Sequence, residues 1–143
     1  DLYGLMHLSR ENICSLKISE EKLTILRPTI VYGKGDTHNS YGPNRFIKQL
    51  NNNSQIKIFG KGLDVRDHLF VEDLIKIISK AILNKISGKY NIASGKSIKF
   101  IEIIKKLQKI TKKKLNIDYI KVNNLQTKRY FDISQTKKNK SGQ

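Results

Sequence analysis

The sequence is short of thiols, of acid and of long apolar runs, and each shortage removes a class of protein. Its single cysteine, Cys14, has no partner for a disulfide and no second thiol at metal-ligand spacing. The histidines His7, His38 and His68 are too scattered to build a zinc site, so no metal centre is expected and Cys14 reads as a small core residue. No apolar stretch is long enough to span a bilayer, and no charged-then-apolar leader opens the chain. Neither a membrane segment nor a signal peptide is visible, and a cytoplasmic protein is expected. Asp and Glu number 12 against 28 Lys and Arg, a formal charge of +16. Such an excess points to polyanions when it gathers with aromatics on one element. Here it is nearly all lysine, spread among Ile and Asn along the chain. A solvated surface is expected, and a nucleic-acid-binding module rests on net charge alone.

What is there is enough for a core: 143 residues at 38% hydrophobic content fit one domain or a piece of a larger one. Residues 1–16 place Leu2, Leu5, Met6, Ser9, Ile13 and Leu16 roughly on one helical face, with the helix already under way at residue 1 and its start expected upstream. Tyr3 and His7, four apart, lie one turn from each other. They can share a ligand, or simply edge a core face. Residues 23–32, LTILRPTIVY, read as a strand buried on both faces of a parallel sheet. Pro28 interrupts it, so the regular strand is expected to end near Arg27, where the chain turns into a cleft.

A loop at 33–43 leads to a short helix at 44–50. Strands at 56–59 and 69–71 precede a helix at 72–84 with Leu74, Ile75, Ile78, Ala81 and Ile82 on one side. Tyr90 to Gly95 reads as a strand ending in a turn. Ser97 is expected to cap a helix at 98–111 whose Ile101, Ile104 and Leu107 face inward. A peripheral strand follows at 115–120, and from Lys128 the chain is expected to fray. Strands and helices alternate throughout, so an α/β architecture follows.

The stretch 60–74, GKGLDVRDHLFVEDL, organises the rest. An arginine where a tight turn meets a buried strand has its backbone fixed while its guanidinium faces a cleft, which suits bidentate capture of a phosphate. Arg66 is thus the first candidate ligand contact. Pairing with Asp64 or Asp67 at the surface is the alternative.

Six stretches, in order, resemble the later half of the extended short-chain dehydrogenase/reductase family, the NAD(P)-dependent sugar-nucleotide epimerases and dehydratases. YGLMH resembles its YxxxK helix, LRPTIVYGKGD the following strand and glycine turn, and YGPNRFI the substrate-loop helix. IKIFGKGLDVRDHLFVEDL resembles the nucleotide-contacting strand with its RD signature, and YNIASG and KRYFDIS resemble later landmarks. The fold this implies is the later part of a partial Rossmann-type doubly wound sheet plus a smaller α/β substrate-binding lobe. Residues 1–32 would be the tail end of the dinucleotide-binding domain and 33–127 the substrate-binding lobe with interleaved Rossmann elements, leaving 128–143 as a basic tail.

The resemblance also implies roles. Tyr3 would be the acid/base beside the nicotinamide of NAD or NADP, with His7 where the family has a lysine. A histidine, ordinarily titrating near about 6.5, offers a hydrogen bond but no permanent cation. Pro28 and Thr29 would border the nicotinamide, and Ile30 stands where many relatives carry a sugar-contacting asparagine. Asn44, Arg45, Phe46, Ile58 and Phe59 would meet the nucleotide, and Arg66, Asn91 and Arg129 its diphosphate. The implied partners are a nucleotide-diphosphate sugar, an N-terminal half bearing the glycine-rich turn, and a second copy packed on Leu5, Met6 and Ile13. A non-catalytic nucleotide-sugar-binding or scaffold protein of the same fold is the second reading.

Overall fold

The computed structural model describes residues 1–37, 42–123 and 126–138. His38 and residues 139–143 of the expected tail lie outside them. The opening helix α1 spans Leu2–Lys17, and the Asp1 carboxylate accepts from the Gly4 amide at 2.9 Å, capping one of its free N–H groups. After a short turn at Glu20–Lys22 come β1 (Thr24–Pro28) and β2 (Ile30–Tyr32). The remaining elements are α2 (Gly42–Asn51), β3 (Ile56–Phe59), β4 (Val65–Phe70), α3 (Val71–Leu83), β5 (Gly88–Ile92), β6 (Ser97–Lys99), α4 (Phe100–Thr111), β7 (Ile117–Ile120) and α5 (Ser134–Lys138).

Parallel pairing dominates, as alternating strands and helices require. β1 runs parallel to β5, β2 to β4 and β3 to β7, and β6 lies antiparallel on the first half of β4. The expected single strand at 23–32 is two strands with different neighbours. Pro28 ends β1, the Thr29 amide donates to the Ile92 carbonyl at 2.9 Å, and the chain then continues beside β4. No residue of β1 is fully buried, contrary to the two-sided burial expected, because β5 is its one paired neighbour among the described residues.

The main core fills the lobe formed by α2, α4, β3 and β7. Phe46, Ile56, Ile58, Ile103, Ile104 and Leu115 are buried together, with Phe100, Ile101 and Leu107 against them. β3 alternates buried Ile56 and Ile58 with exposed Lys57 and Phe59, so one face supplies the core and the other meets solvent. α4 buries Ile103 and Ile104 and half-buries Ile101 and Leu107, as its 3.6-residue pattern predicts.

Five local expectations change. β4 begins at Val65 rather than at residue 69, because Val65, Asp67 and Leu69 form its buried face and the charged Asp67 hides the alternation. α3 turns Leu74, Ile77 and Ala81 inward, leaving Ile75, Ile78 and Ile82 exposed; a helix apolar on two sides does not reveal its buried side from sequence. Ser97 lies in β6, where its hydroxyl donates to the Arg129 carbonyl at 3.0 Å, and Glu102 instead accepts from the amide at the start of α4, Lys99. Cys14 is exposed, as is nearly all of α1, whose apolar face (Leu2, Leu5, Met6, Ile13 and Leu16) meets no core. The stretch from Lys128, expected to fray, carries a bridge from Lys128 to Val65 and then the helix α5.

Candidate functional site

Tyr3 and His7 stand on the open face of α1, their rings edge to face with centroids 4.6 Å apart. Tyr3 is 70% exposed. The helix is tied to the sheet by an ion pair one turn further on: Arg27 Nε donates to Glu11 Oε1 at 2.9 Å and its Nη2 to Glu11 Oε2. That guanidinium holds the Glu11 carboxyl below the usual carboxylate range. Arg27 is the last residue before Pro28, so the pair fixes α1 beside the break between β1 and β2.

At the break, the Thr29 hydroxyl donates to the Asp67 carbonyl at 3.1 Å. Asp67 is 1% exposed, and its carboxylate accepts from the Ser94 amide at 2.8 Å, the Ser94 hydroxyl at 3.0 Å and the Lys96 amide at 3.1 Å. A buried carboxylate so satisfied can stay charged without a cation beside it. Asp67 therefore joins β4, the Thr29 break and the turn after β5. The sequence reading weighed it only as a surface partner of Arg66.

Asn44 on α2 binds the glycine loop after β2: its amide donates to the Gly33 carbonyl at 3.1 Å and to Asp36 Oδ2 at 2.7 Å. Arg45 Nη2 donates to the Lys57 carbonyl, and the guanidinium lies 5.2 Å from the Phe59 ring centre and 5.7 Å from that of Phe46. Burial lowers the Arg45 pKa from its ordinary value. Arg45 and the half-exposed Phe59 thus form a cation–π shelf on the outer face of β3. Phe46 and Ile58, 1% and 2% exposed, have their side chains in the core. Only their main chain is left to face a ligand.

Arg66 points toward the stretch after β7. Nη1 donates to the Val65 and Thr127 carbonyls at 2.9 and 3.1 Å, Nη2 to the Thr127 hydroxyl at 2.6 Å, and Asp64 Oδ2 lies 3.6 Å from Nη2. The Arg129 amide donates to the Val65 carbonyl at 3.1 Å, so the segment bearing the second arginine is bonded to the strand bearing the first. Asn91, at the end of β5, donates to the Asp132 carbonyl at 3.1 Å and accepts on its own carbonyl from the Thr136 hydroxyl at 2.8 Å. Pro28, Thr29, Arg66, Asn91 and Arg129 are thus linked through β4, β5 and the C-terminal segment. Arg45 and Phe59 form a second cluster, and no hydrogen bond joins Tyr3 or His7 to either. Thr127 and Asp64 complete the Arg66 environment; nothing in the sequence singled out Thr127.

A sequence model of the NAD dependent epimerase/dehydratase family matches residues 1–93. Among solved structures, the chain is similar to UDP-glucuronic acid 4-epimerase from Bacillus cereus in complex with UDP-glucuronic acid and NAD. The two share 29% identity at a TM-score of 0.79, over 95% of this chain and 45% of that one. UDP-glucose 4-epimerase from Thermotoga maritima, with UDP-glucose, is 26% identical at a TM-score of 0.68, over 80% of this chain and 38% of that one. ADP-L-glycero-D-manno-heptose-6-epimerase from Helicobacter pylori, 22% identical, shares the fold at a TM-score of 0.81, over 95% of this chain and 44% of its own. The chain spans less than half the length of these proteins. No curated protein matches it in sequence.

An exposed phenol and an imidazole stand one turn apart on α1, and the next turn carries the Glu11 that ties the helix to Arg27. Gly60, Gly62 and Gly95 take positive φ and lead into strands; Gly33 and Gly35, also at positive φ, lie between β2 and α2, but the third glycine of the fingerprint spacing would fall at His38. A pyrophosphate cradle of the strand-to-helix kind is not among the described residues. Nor, among them, is any helix long and apolar enough to cross a membrane, or any cluster of potential metal ligands.

Proposed function

We propose, for a chain that belongs to the NAD dependent epimerase/dehydratase family, that it forms the later half of an NAD(P)-dependent nucleotide-sugar epimerase, dehydratase or reductase. In this reading it binds the nucleotide-diphosphate sugar and carries the tyrosine helix, while an N-terminal half supplies the dinucleotide cradle. NAD(P), when bound, would supply hydride chemistry at the nicotinamide end. Tyr3 exchanges the accompanying proton with a sugar hydroxyl through its phenol. His7, stacked on that phenol, holds it in place and offers a hydrogen bond. Pro28 and Thr29 border the nicotinamide. Arg45 and Phe59 meet the nucleotide from the outer face of β3, helped by the Asn44–Phe46 turn and the main chain of Ile58. Arg66, Asn91 and Arg129 face the diphosphate. The exposed Leu5, Met6 and Ile13 suit a homodimer contact.

The observation that carries this reading is the fixed Arg66, held in the second position of β4 with the Arg129 segment bonded alongside. Two guanidiniums on one diphosphate make charge-assisted, bidentate bonds that exceed surface pairs in strength. Calorimetric titration of the full-length protein with UDP-glucuronic acid tests it. Arg66→Ala should weaken binding roughly ten- to a hundredfold, the value of a hydrogen bond to a charged group. Unchanged affinity would remove Arg66 from the site.

The residue at His7 favours a second reading, a non-catalytic nucleotide-sugar-binding descendant, since an imidazole replaces the permanent cation its relatives carry there. Turnover assays of the wild type and His7→Lys separate the two. Activity with His7 supports a working site, whereas activity appearing only with lysine supports a lapsed one.

A further inference from the structure

The Arg66 guanidinium already has a partner on each terminal nitrogen, and that partner is shaped like its proposed ligand. One residue, Thr127, sets its carbonyl oxygen 3.1 Å from Nη1 and its hydroxyl 2.6 Å from Nη2. Two oxygens of one group on two nitrogens of one guanidinium is the arrangement a phosphate makes with arginine. The arginine side chain is only 15% exposed, while Thr127 itself is exposed, so the pair lies at the surface where a ligand can reach it.

Thr127 is also held from behind. Its amide donates to Asp64 Oδ1 at 2.8 Å, and its carbonyl accepts from the Val65 amide at 2.9 Å. The flanking Gln126 Nε2 donates to the Leu63 carbonyl at 2.6 Å, and the Arg129 amide to the Val65 carbonyl. The segment is therefore docked by its main chain and its neighbours. The Thr127 hydroxyl makes no other hydrogen bond among the described residues, and Arg66 Nη2 is the donor it serves.

We propose that Thr127 is an internal stand-in for the ligand phosphate, its hydroxyl serving Arg66 Nη2 until a diphosphate binds and displaces it. The inference rests on the assignment of Arg66 to the diphosphate. Displacement leaves the main-chain bonds of 126–129 intact, so the segment carrying Arg129 stays beside β4 while Arg66 changes partner. Thr127 thereby sets affinity by competition: a phosphate oxygen that takes the N–H of Nη2 now serving Thr127 gives up that hydrogen bond.

Thr127→Val tests this, because valine keeps the branched shape and every main-chain bond but has no acceptor. Titration of the full-length protein with UDP should show binding about three- to tenfold tighter than wild type, the factor carried by one hydrogen bond of ordinary net strength. Thr127→Ser, which retains the hydroxyl, should return to the wild-type value. Inorganic pyrophosphate should show the same gain, since the competition is for the phosphate and not the base. Equal or weaker binding by Thr127→Val, or a gain shared by Thr127→Ser, overturns the stand-in role while leaving Arg66 in the site. If wild type binds UDP no better than Arg66→Ala, the assignment of Arg66 falls and this inference with it.

Discussion

Replacing His68 by phenylalanine should stabilise the protein, and more so in acid. His68 lies in the middle of β4, its ring 5.6 Å from Phe100 and edge-on at 75°, while Phe100 meets the core residue Phe46 in turn. Both ring nitrogens are sealed from solvent with no well-formed hydrogen bond among the described residues, although the Arg66 main chain comes near enough to favour the protonated ring. A neutral imidazole carries one donor and one acceptor, and each left buried and unpaired costs about 1–3 kcal/mol. Phenylalanine removes both and keeps the aromatic contact; its larger ring returns part of the gain as crowding, which in a tight core costs about 1–3 kcal/mol. The net expectation is about 1–2 kcal/mol of added stability at pH 7.5. Burial, partly offset by the neighbouring Asp67 carboxylate, lowers the His68 pKa below its ordinary 6.5. The folded state thus binds fewer protons than the unfolded one. Stability from this group is complete above the ordinary value and is lost as pH falls through the lowered one, at up to about 1.36 kcal/mol per pH unit. Urea unfolding of wild type and His68→Phe at pH 7.5 and 5.5 reads both effects. A less stable variant, or a difference that does not grow at pH 5.5, refutes the reasoning.

Three further substitutions probe the scaffold around the site. Asp67→Asn should cost about 2–3 kcal/mol in urea unfolding and speed amide exchange at Ser94 and Lys96, because one amide oxygen cannot serve three donors and the new NH₂ faces N–H groups; a change under about 0.5 kcal/mol would show that the junction does not need the charge. Gly62→Ala should cost about 2–4 kcal/mol, since φ is +67° and the added Cβ would lie 2.1 Å from Ile58 Cδ1 in the core. A near-neutral result would mean that Ile58 can move aside. Glu11→Gln should loosen α1 by less than about 1 kcal/mol, read as faster amide exchange along that helix, because the pair with Arg27 is partly exposed. The Glu11 pKa lies below its ordinary 4.5, so the wild-type advantage is full above that value and disappears as pH falls through the lowered one. An effect that persists in stronger acid would point to packing instead.

The fold was legible where periodicity and burial agree. β3 alternates and α4 repeats as one buried face demands, so the bounds of β3, the end of α4 and its inward Ile104 could be read from the chain, while residues 98 and 99 went to β6 instead. Legibility failed where one residue type did another's work. Asp67 sits on the buried face of β4 and broke an apolar alternation that starts at Val65. Ser97, a good cap by type, gave its hydroxyl to Arg129 through a contact 32 residues away. Cys14 is exposed, and Leu2, Leu5 and Leu16 of α1 form an apolar face with no core against it; sequence patterns report which face is apolar, not whether anything covers it. Within the candidate site, residues with unusual local chemistry, Arg66 and the Tyr3–His7 pair, stood out. Thr127 could not, because its importance comes entirely from lying opposite Arg66, 61 residues earlier.

The consecutive residues Arg66, Asp67 and His68 show why one strand can organise so much of the molecule. Successive side chains of a strand point to opposite faces, so Asp67 turns one way, into the buried junction with Thr29, Ser94 and Lys96, while its neighbours turn the other. On that second face Arg66 reaches the Gln126–Arg129 segment and His68 packs on Phe100 at the start of α4. A shift of β4 by one residue would exchange the two faces, burying a guanidinium and exposing the carboxylate that holds the turn after β5. The carboxylate therefore fixes more than its own contacts: with Asp67 locked by three donors, the register of β4 is set, and the direction in which Arg66 points follows from it. The position of the proposed phosphate-binding arginine is thus determined from the opposite side of the sheet, by a residue that touches no ligand.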